Sequence, residues 1–192
     1  MKIEEAQKIV KGILPAKRFD HTLGVVEAAQ GLAKRFNGDI DKAGLAAMLH
    51  DIAKYFSKTK MAETIRRRND IADELLQYHL SLWHASVGAV YAEEELNITD
   101  HDILEAMKWH TTGKKDMTLL DKIVFLADYI EPGRNFPGVD EVRATAEKSL
   151  DLACAKALEN TIVFLVARRQ QIHPDTIYAY NDLIEKTRKK VI

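Results

Sequence analysis

Apolar residues recur every three or four positions along almost the whole chain, which is the spacing of amphipathic α-helices. Ile3, Ala6, Val10 and Ile13 form the first apolar stripe, and Pro15 ends it. Alternating runs of β-branched residues, which would indicate strands, are scarce, and the chain contains only 4 prolines and 9 glycines. The pattern therefore predicts an all-α fold.

The same spacing predicts a series of helices after Pro15. They cover Ala16 to Phe36, Asp39 or Asp41 to Phe56, the segments MAETIRRRND, LWHASVGAVYAEEEL, DHDILEAMKWH and TLLDKIVFLADYI, and two or three helices from Val139 to Lys190, with HPD as a break. Thr99 precedes Asp102 by three residues, which predicts a capping box at the start of DHDILEAMKWH. The only Pro/Gly-rich loop is EPGRNFPG, and no repeat or interdomain linker is present. We therefore expect residues 1–192 to form one domain.

The composition is that of a globular protein, with 46% hydrophobic and 30% charged residues. The net charge of -1 argues against a nucleic-acid partner bound by bulk charge, but it does not exclude a local basic pocket for phosphates. No apolar run approaches the roughly 18 residues that span a bilayer, and MKIEEAQKIV does not resemble a signal peptide. We expect a cytoplasmic protein with no membrane contact, in which the lone Cys154 is a buried structural thiol.

Polar residues interrupt the apolar faces of five predicted helices. They are His21, His50, His84, His110 and Asp128, and Asp51 follows His50 directly. Any single inward histidine is more often a hydrogen-bonded core residue than a ligand, and the sequence leaves that alternative open for each one. A buried carboxylate, however, needs partners. Because all these faces turn towards one core, we expect the six side chains to converge.

Imidazoles and carboxylates together suit first-row divalent metals, and the absence of thiolates argues against a structural Cys-rich zinc site. Six such ligands are enough for two ions. An aspartate next to a histidine ligand can place its two oxygens on two metals, which predicts that Asp51 bridges them. Two bridged ions could activate a water molecule to attack phosphorus. The same ligands accept iron, manganese, cobalt or nickel, so the sequence leaves the metal open.

The order of these residues resembles that of the HD-domain metal phosphohydrolases. The segments RFDHTLGVVEAA, LHDIAKYF, WHASVGA, AMKWHTTG, ADYIEPGRNFPGVDEVR and IHPDTIYAYN are similar to those of the YqeK family, from about Arg18 to the C-terminus. This family is known as the symmetrical dinucleoside tetraphosphate hydrolases. The resemblance implies a helical bundle with a metal-binding core at about residues 18–130, which C-terminal helices at about 139–190 complete.

The resemblance also implies the chemistry. The substrate would be diadenosine tetraphosphate or a related dinucleoside polyphosphate, cleaved into two nucleoside diphosphates by a di-iron enzyme. Such proteins are cytoplasmic, bacterial and often homodimeric. One metal would be held by His21, His50, Asp51 and Asp128, and the other by His84 and His110, with Asp51 bridging. Ala85 and Ser86 stand where a Gly-Pro-like pair is expected, and Trp83 precedes His84. The resemblance therefore does not define the pocket wall beside His84.

Five residues are candidates for substrate contacts. Lys54, one turn after His50, is also a candidate catalytic residue, because its ammonium could neutralise a phosphate or the leaving oxygen; otherwise it is a surface lysine. Arg134 in the Pro/Gly loop could bind phosphate with two hydrogen bonds, or could be solvated. Arg18 could reach the substrate or a carboxylate. Thr111 and Lys114 could hold a distal phosphate, or could form an ordinary helix end.

The remaining histidines, His79, His101 and His173, do not fit the motif order, and we expect none of them in the site. The basic run at residues 66–68 is expected to be a solvated helix face, with a nucleotide entrance as the alternative.

Three other functions remain open at this point. The chain could be an HD-domain phosphohydrolase of nucleoside mono- or triphosphates, a di-iron oxygenase, or a nucleotide-binding regulator that has lost its metals. The complete ligand set argues against the regulator. The reaction products would distinguish these three functions from one another and from a dinucleoside tetraphosphate hydrolase.

Overall fold

The computed structural model describes residues 1–188, and its helical content confirms the all-α prediction. The helices are α1 (Ile3–Ile13), α2 (Ala16–Arg35), α3 (Ile40–Leu49), α4 (Lys58–Arg67), α5 (Trp83–Leu96), α6 (His101–Trp109), α7 (Leu119–Ile130), α8 (Val139–Ala146), α9 (Leu150–Ala167) and α10 (Pro174–Arg188). Two short 3-10 helices, Asp73–Gln77 and Leu80–Leu82, lie between α4 and α5. Within residues 1–188, no helix combines the length and the apolar character that a membrane crossing requires.

The helices α3 and α7 occupy the centre of the bundle. The first packs against α1, α2, α6 and α7, and the second also contacts α8 and α9. The sequence of α3, IDKAGLAAML, is rich in small side chains, so neighbouring helices approach it closely. A Cβ atom on Gly44 would lie only 2.8 Å from Nε2 of Gln30 on α2. This close packing brings the end of α3 into the middle of the molecule.

Two predicted helix boundaries were wrong, and side chains explain both. The third helix ends at Leu49 rather than Phe56, and turns follow it. The His50 imidazole lies 2.6 Å from the Ala47 carbonyl oxygen and takes the acceptor that a continuing helix would use. The N-cap residue of α6 is Asp100 rather than Thr99, because the Asp100 carboxylate accepts a hydrogen bond from the backbone amide of Asp102 in the first turn.

Three helices follow the Pro/Gly-rich loop, and α10 begins at Pro174 as the HPD break predicted. Residues 189 and 190, which the sequence prediction also assigned to the last helix, lie outside the described residues. Apolar residues of α8, α9 and α10 share a buried cluster with α2, α3 and α7. Cys154 lies in that cluster, so the prediction of a buried thiol is confirmed, and burial raises the pKa of this thiol.

Candidate metal centre

The site is built around His50 and Asp51, which follow α3 directly and are completely buried. The His50 Nδ1 atom must donate to the Ala47 carbonyl, because a carbonyl oxygen only accepts. The Nε2 atom of the ring therefore carries a free lone pair. That atom lies 3.1 Å from Asp51 Oδ2 without hydrogen-bond geometry. The two side chains face each other as neighbouring ligands of an ion would.

His110 repeats this arrangement at the end of α6. Its Nδ1 atom lies 2.7 Å from the carbonyl oxygen of Met107, and the ring is buried. Both histidines thus use the carbonyl three residues earlier to fix the ring and its tautomer. A backbone carbonyl is a usual orienting partner of metal-binding histidines.

His84, at the start of α5, completes the buried side of the centre. Its Nε2 atom lies 2.8 Å from Asp51 Oδ1 and 3.1 Å from His110 Nε2. Asp51 Oδ2, in contrast, faces His50 at 3.1 Å and His21 at 3.8 Å. The two oxygens of Asp51 therefore face two different groups of histidines, which is the arrangement that a bridging carboxylate requires.

His21 and Asp128 form the more exposed side. The Nε2 atom of His21, on α2, lies 3.0 Å from Oδ1 of Asp128, near the end of α7. The other ring nitrogen lies 3.0 Å from Oε1 of Glu131. Glu131 is buried and also accepts from the amide of Gly133 at 2.5 Å. Gly24 makes room for it, since a Cβ atom there would lie 2.7 Å from Glu131 Oε2.

The six side chains could hold metal ions. Three overlapping groups have ligand atoms within 4.8 Å of one another: His21–His50–Asp51, His50–His110–Asp128 and Asp51–His84–His110. His21 Nε2, His50 Nε2 and Asp51 Oδ1 are buried and make no hydrogen bond. Buried polar atoms without partners are costly, so three of them aimed at one place fit a site built for cations.

The electrostatics of the cluster favour the ligand forms of most of these groups. Burial lowers the pKa of His84 and holds that of His110 well below its ordinary value. Burial opposes the charge on Asp51, but His50 and His84 outweigh it and keep the pKa of this carboxyl low. For His50, burial acts against protonation, while Asp51 and Asp128 raise the pKa overall.

The charged substrate candidates surround this cluster. Arg18 donates to Asp51 Oδ2. The Lys54 ammonium lies 3.3 Å from His84 Nε2 and 3.7 Å from Asp51 Oδ1, and burial lowers its pKa. Arg134 binds Asp128 twice, through its carboxylate at 2.7 Å and its backbone carbonyl at 3.0 Å. All three cations thus lie beside the carboxylates.

The other candidates lie at the edge of the site or away from it. Thr111 lines a cavity that opens beside His110. Lys114 does not line this cavity, and its ammonium binds Glu105 at 2.6 Å and lies 3.4 Å from Asp121. Both carboxylates are close enough to hold it against α6 and α7.

Sequence reasoning missed Glu131, which lies in the loop after α7 and has no helical periodicity to reveal it. The basic run at 66–68 pairs mainly with acidic residues of α5, as a solvated face does. His101 is exposed, whereas His79 and His173 line a second and larger cavity.

This arrangement defines an all-helical His/Asp metal-binding protein, and the chain matches the HD domain family over residues 18–133. It therefore belongs to the HD-domain family. It is 46% identical over 184 residues to the symmetrical bis(5'-nucleosyl)-tetraphosphatase of Bacillus subtilis, covering 96% of this chain and 98% of that protein. The protein of the same name from Staphylococcus aureus is 40% identical over 189 residues, covering 95% and 97%. These relatives confirm the YqeK-type resemblance.

A solved structure is similar over nearly the whole chain. The crystal structure of a Clostridium acetobutylicum protein, described as a predicted HD superfamily hydrolase involved in NAD metabolism, is 37% identical. The alignment has a TM-score of 0.91 and covers 97% of this chain and 98% of that one. The helical arrangement described above is therefore shared with an experimentally determined relative.

Proposed function

We propose that this protein is a metal-dependent hydrolase that cleaves diadenosine tetraphosphate and related dinucleoside polyphosphates into two nucleoside diphosphates. The observation that carries the proposal is the convergence of four histidines and two aspartates on one centre, with His21 Nε2, His50 Nε2 and Asp51 Oδ1 left without hydrogen bonds. The names of the relatives from Bacillus subtilis and Staphylococcus aureus supply the substrate class.

We assign one ion to His21, His50, Asp51 and Asp128 and the other to His84 and His110, with Asp51 shared. Two first-row ions held in this way would lower the pKa of a water molecule and polarise the phosphoryl oxygen. The opposite orientations of the two Asp51 oxygens support its shared role, because one faces His84 and the other faces His50.

The cations beside the cluster act on the phosphates. Lys54 is the positive group nearest to the buried side, and its ammonium stabilises charge that develops on the leaving oxygen. Arg134 has a planar group with several donors, which suits a phosphate with two acceptor oxygens. Thr111 and Arg18 offer further donors at the edge of the cluster. The water oxygen bonds to phosphorus, the P–O bond to the bridging oxygen breaks, and a nucleoside diphosphate leaves with that bridging oxygen.

Three finer features belong to the same proposal. Iron is the proposed metal, because the family resemblance implies it and the His/Asp ligands accept it. The cytoplasmic location rests on that resemblance alone. The homodimer, like the cytoplasmic location, rests on the family resemblance.

Hydrolysis of diadenosine tetraphosphate in oxygen-18 water tests the function directly. We expect two molecules of ADP, with one label in one of them, because water attacks a phosphorus whose leaving group is ADP. AMP together with ATP would contradict symmetrical cleavage. If diadenosine tetraphosphate stays intact and inorganic phosphate is released from a nucleoside mono- or triphosphate, the protein is instead a different HD-domain nucleotide phosphohydrolase. Elemental analysis of the same preparation identifies the metal.

A further inference from the structure

The loop between α7 and α8 carries two side chains that contact ligands of the metal centre. It comprises residues 131–138 and contains turns but no helix or strand. Glu131 Oε1 lies 3.0 Å from His21 Nδ1, and the Arg134 guanidinium binds Asp128. The path of the loop backbone therefore decides where two groups lie, the carboxylate beside His21 and the guanidinium proposed to bind phosphate.

Arg143, on α8, holds this loop through its backbone carbonyls. Its Nε atom donates to the Ile130 carbonyl at 3.0 Å, and its Nη2 atom donates to the carbonyls of Glu131 and Arg134 at 2.7 and 2.9 Å. One guanidinium group thus connects the last residue of α7 with both ends of the turn at 131–134. The final carbonyls of a helix lack partners within the helix and carry partial negative charge, so a cation is favoured there.

The carbonyl contacts, rather than an ion pair, account for an arginine at this position. The carboxylate partner of Arg143 is Asp140 at 2.8 Å, and the Asp140 side chain is 91% exposed. An ion pair that is so open to solvent contributes little to stability. A guanidinium holds its donors in a rigid planar fork, whereas a lysine presents all its donors from one atom on a flexible stem. Lysine would keep the charge but would not reproduce contacts that two separate nitrogen atoms make.

We propose that Arg143 is a positioning residue of the active site, which fixes the loop so that Glu131 orients His21 and Arg134 faces the phosphates. None of its four hydrogen-bond partners is one of the six proposed metal ligands. It does not line the cavity beside the metal centre either, so it acts through the loop. The inference rests on the proposed function where it concerns phosphate, whereas its effect on His21 requires only that the centre binds metal.

The first measurement is metal affinity, with Arg143→Lys as the main variant because it keeps the charge and should fold. Circular dichroism and the melting temperature check the fold. Titration of the metal-free protein with manganese should show roughly tenfold weaker binding, the lower end of the usual effect of disturbing an orienting partner. Arg35→Lys is the matched control, since Arg35 is 40% exposed against 31% for Arg143 and binds the Glu147 carboxylate at the end of α8. This control should bind manganese as the wild type does.

The second measurement is the steady-state hydrolysis of diadenosine tetraphosphate at saturating metal. For Arg143→Lys we expect KM to rise roughly tenfold, as loss of one charge-assisted contact implies, with a smaller fall in kcat. A smaller fraction of folded protein would lower the apparent kcat and leave KM unchanged, so the rise in KM separates positioning from a general loss of structure. Asp140→Asn removes the ion pair, leaves the carbonyl contacts in place and should retain the wild-type KM.

Double variants test whether Arg143 acts through the two loop residues. Arg143→Lys combined with Glu131→Ala should bind manganese no more weakly than Glu131→Ala alone, because the group that Arg143 positions is already missing. Arg143→Lys combined with Arg134→Ala should likewise have the KM of Arg134→Ala. Losses that add in both pairs would show that Arg143 acts on something else, and would overturn the inference.

The possible failures are distinct. Wild-type manganese affinity and wild-type KM in Arg143→Lys overturn the inference while the proposed function stands. A fall in kcat alone also overturns it, since that result indicates a general structural role. If the metal-loaded wild-type protein does not cleave diadenosine tetraphosphate, the proposed function fails and the manganese titration decides the inference. Weaker binding in Arg143→Lys but not in Arg35→Lys would then support it, and equal binding in both would overturn it.

Discussion

Glu131 Oε1 lies 3.0 Å from His21 Nδ1, although 110 residues separate the two in the chain. The second oxygen of the carboxylate accepts from the Gly133 amide, so Glu131 is itself held in place. The result is a fixed imidazole ring whose Nε2 atom points to Asp128. Carboxylates in this position orient metal-binding histidines and increase their basicity.

Glu131→Ala should weaken metal binding roughly 10- to 100-fold, which is the usual effect of removing such a partner. The reason is that the His21 ring loses the acceptor that sets its orientation. Titration of the metal-free protein with iron(II) or manganese measures the change. Glu131→Gln keeps an acceptor oxygen and should retain more of the affinity. Equal affinity in the alanine variant and the wild type would show that His21 needs no orienting partner.

Asp51→Ala should lose more than one ion per chain, because both carboxylate oxygens face candidate ligands. Elemental analysis of freshly purified protein should approach two first-row ions for the wild type. Asp20→Ala, an exposed aspartate on the neighbouring helix, is the control and should keep both ions. Full metal occupancy in Asp51→Ala would exclude the bridging role.

Lys54→Ala should keep its metals and its helical content while kcat falls roughly 10²- to 10³-fold. The expected loss is in turnover because the ammonium lies close to Asp51 and His84, two of the proposed metal ligands. Steady-state kinetics and metal analysis on the same samples test this. Lys34→Ala removes an exposed lysine of α2 and serves as the comparison. Wild-type turnover in Lys54→Ala would exclude a catalytic role for its ammonium.

Arg134→Ala should raise KM at least as much as it lowers kcat, because a lost ground-state contact with phosphate weakens binding. The structure adds a second role, since the guanidinium also binds Asp128. Arg134→Lys keeps the charge but not the planar pair of donors, and should restore only part of the affinity. A fall in metal content of the alanine variant, with KM unchanged, would mean that Arg134 acts through Asp128 and not on the substrate.

The sequence predicted the fold and the converging residues because both depend on helical periodicity. The inward face of a helix is recognised from the spacing of its apolar residues. His21, His84 and Asp128 could therefore be assigned to inward faces without knowing how the helices pack. Helix ends follow other rules. The end of α3 depends on one hydrogen bond from the His50 ring to the Ala47 carbonyl, and no periodic pattern shows that bond.

Residues in loops and turns were the least predictable. Glu131 lies beyond the last periodic position of α7, so only the folded chain shows that it reaches His21. Lys114 is near His110 in sequence, but the turn directs it to Glu105 and Asp121. The single-domain organisation and the roles of the individual site residues stay predictions until variants are measured.

The residues of the metal centre come from α2, the ends of α3 and α6, the start of α5 and the end of α7. No short segment of the chain contains the site, so ions bound there would tie five helices together and stabilise only the native state. A chelator would then act as a denaturant of the whole bundle and not only as an inhibitor. The amount of folded protein in a cell, as well as its activity, would follow the supply of metal.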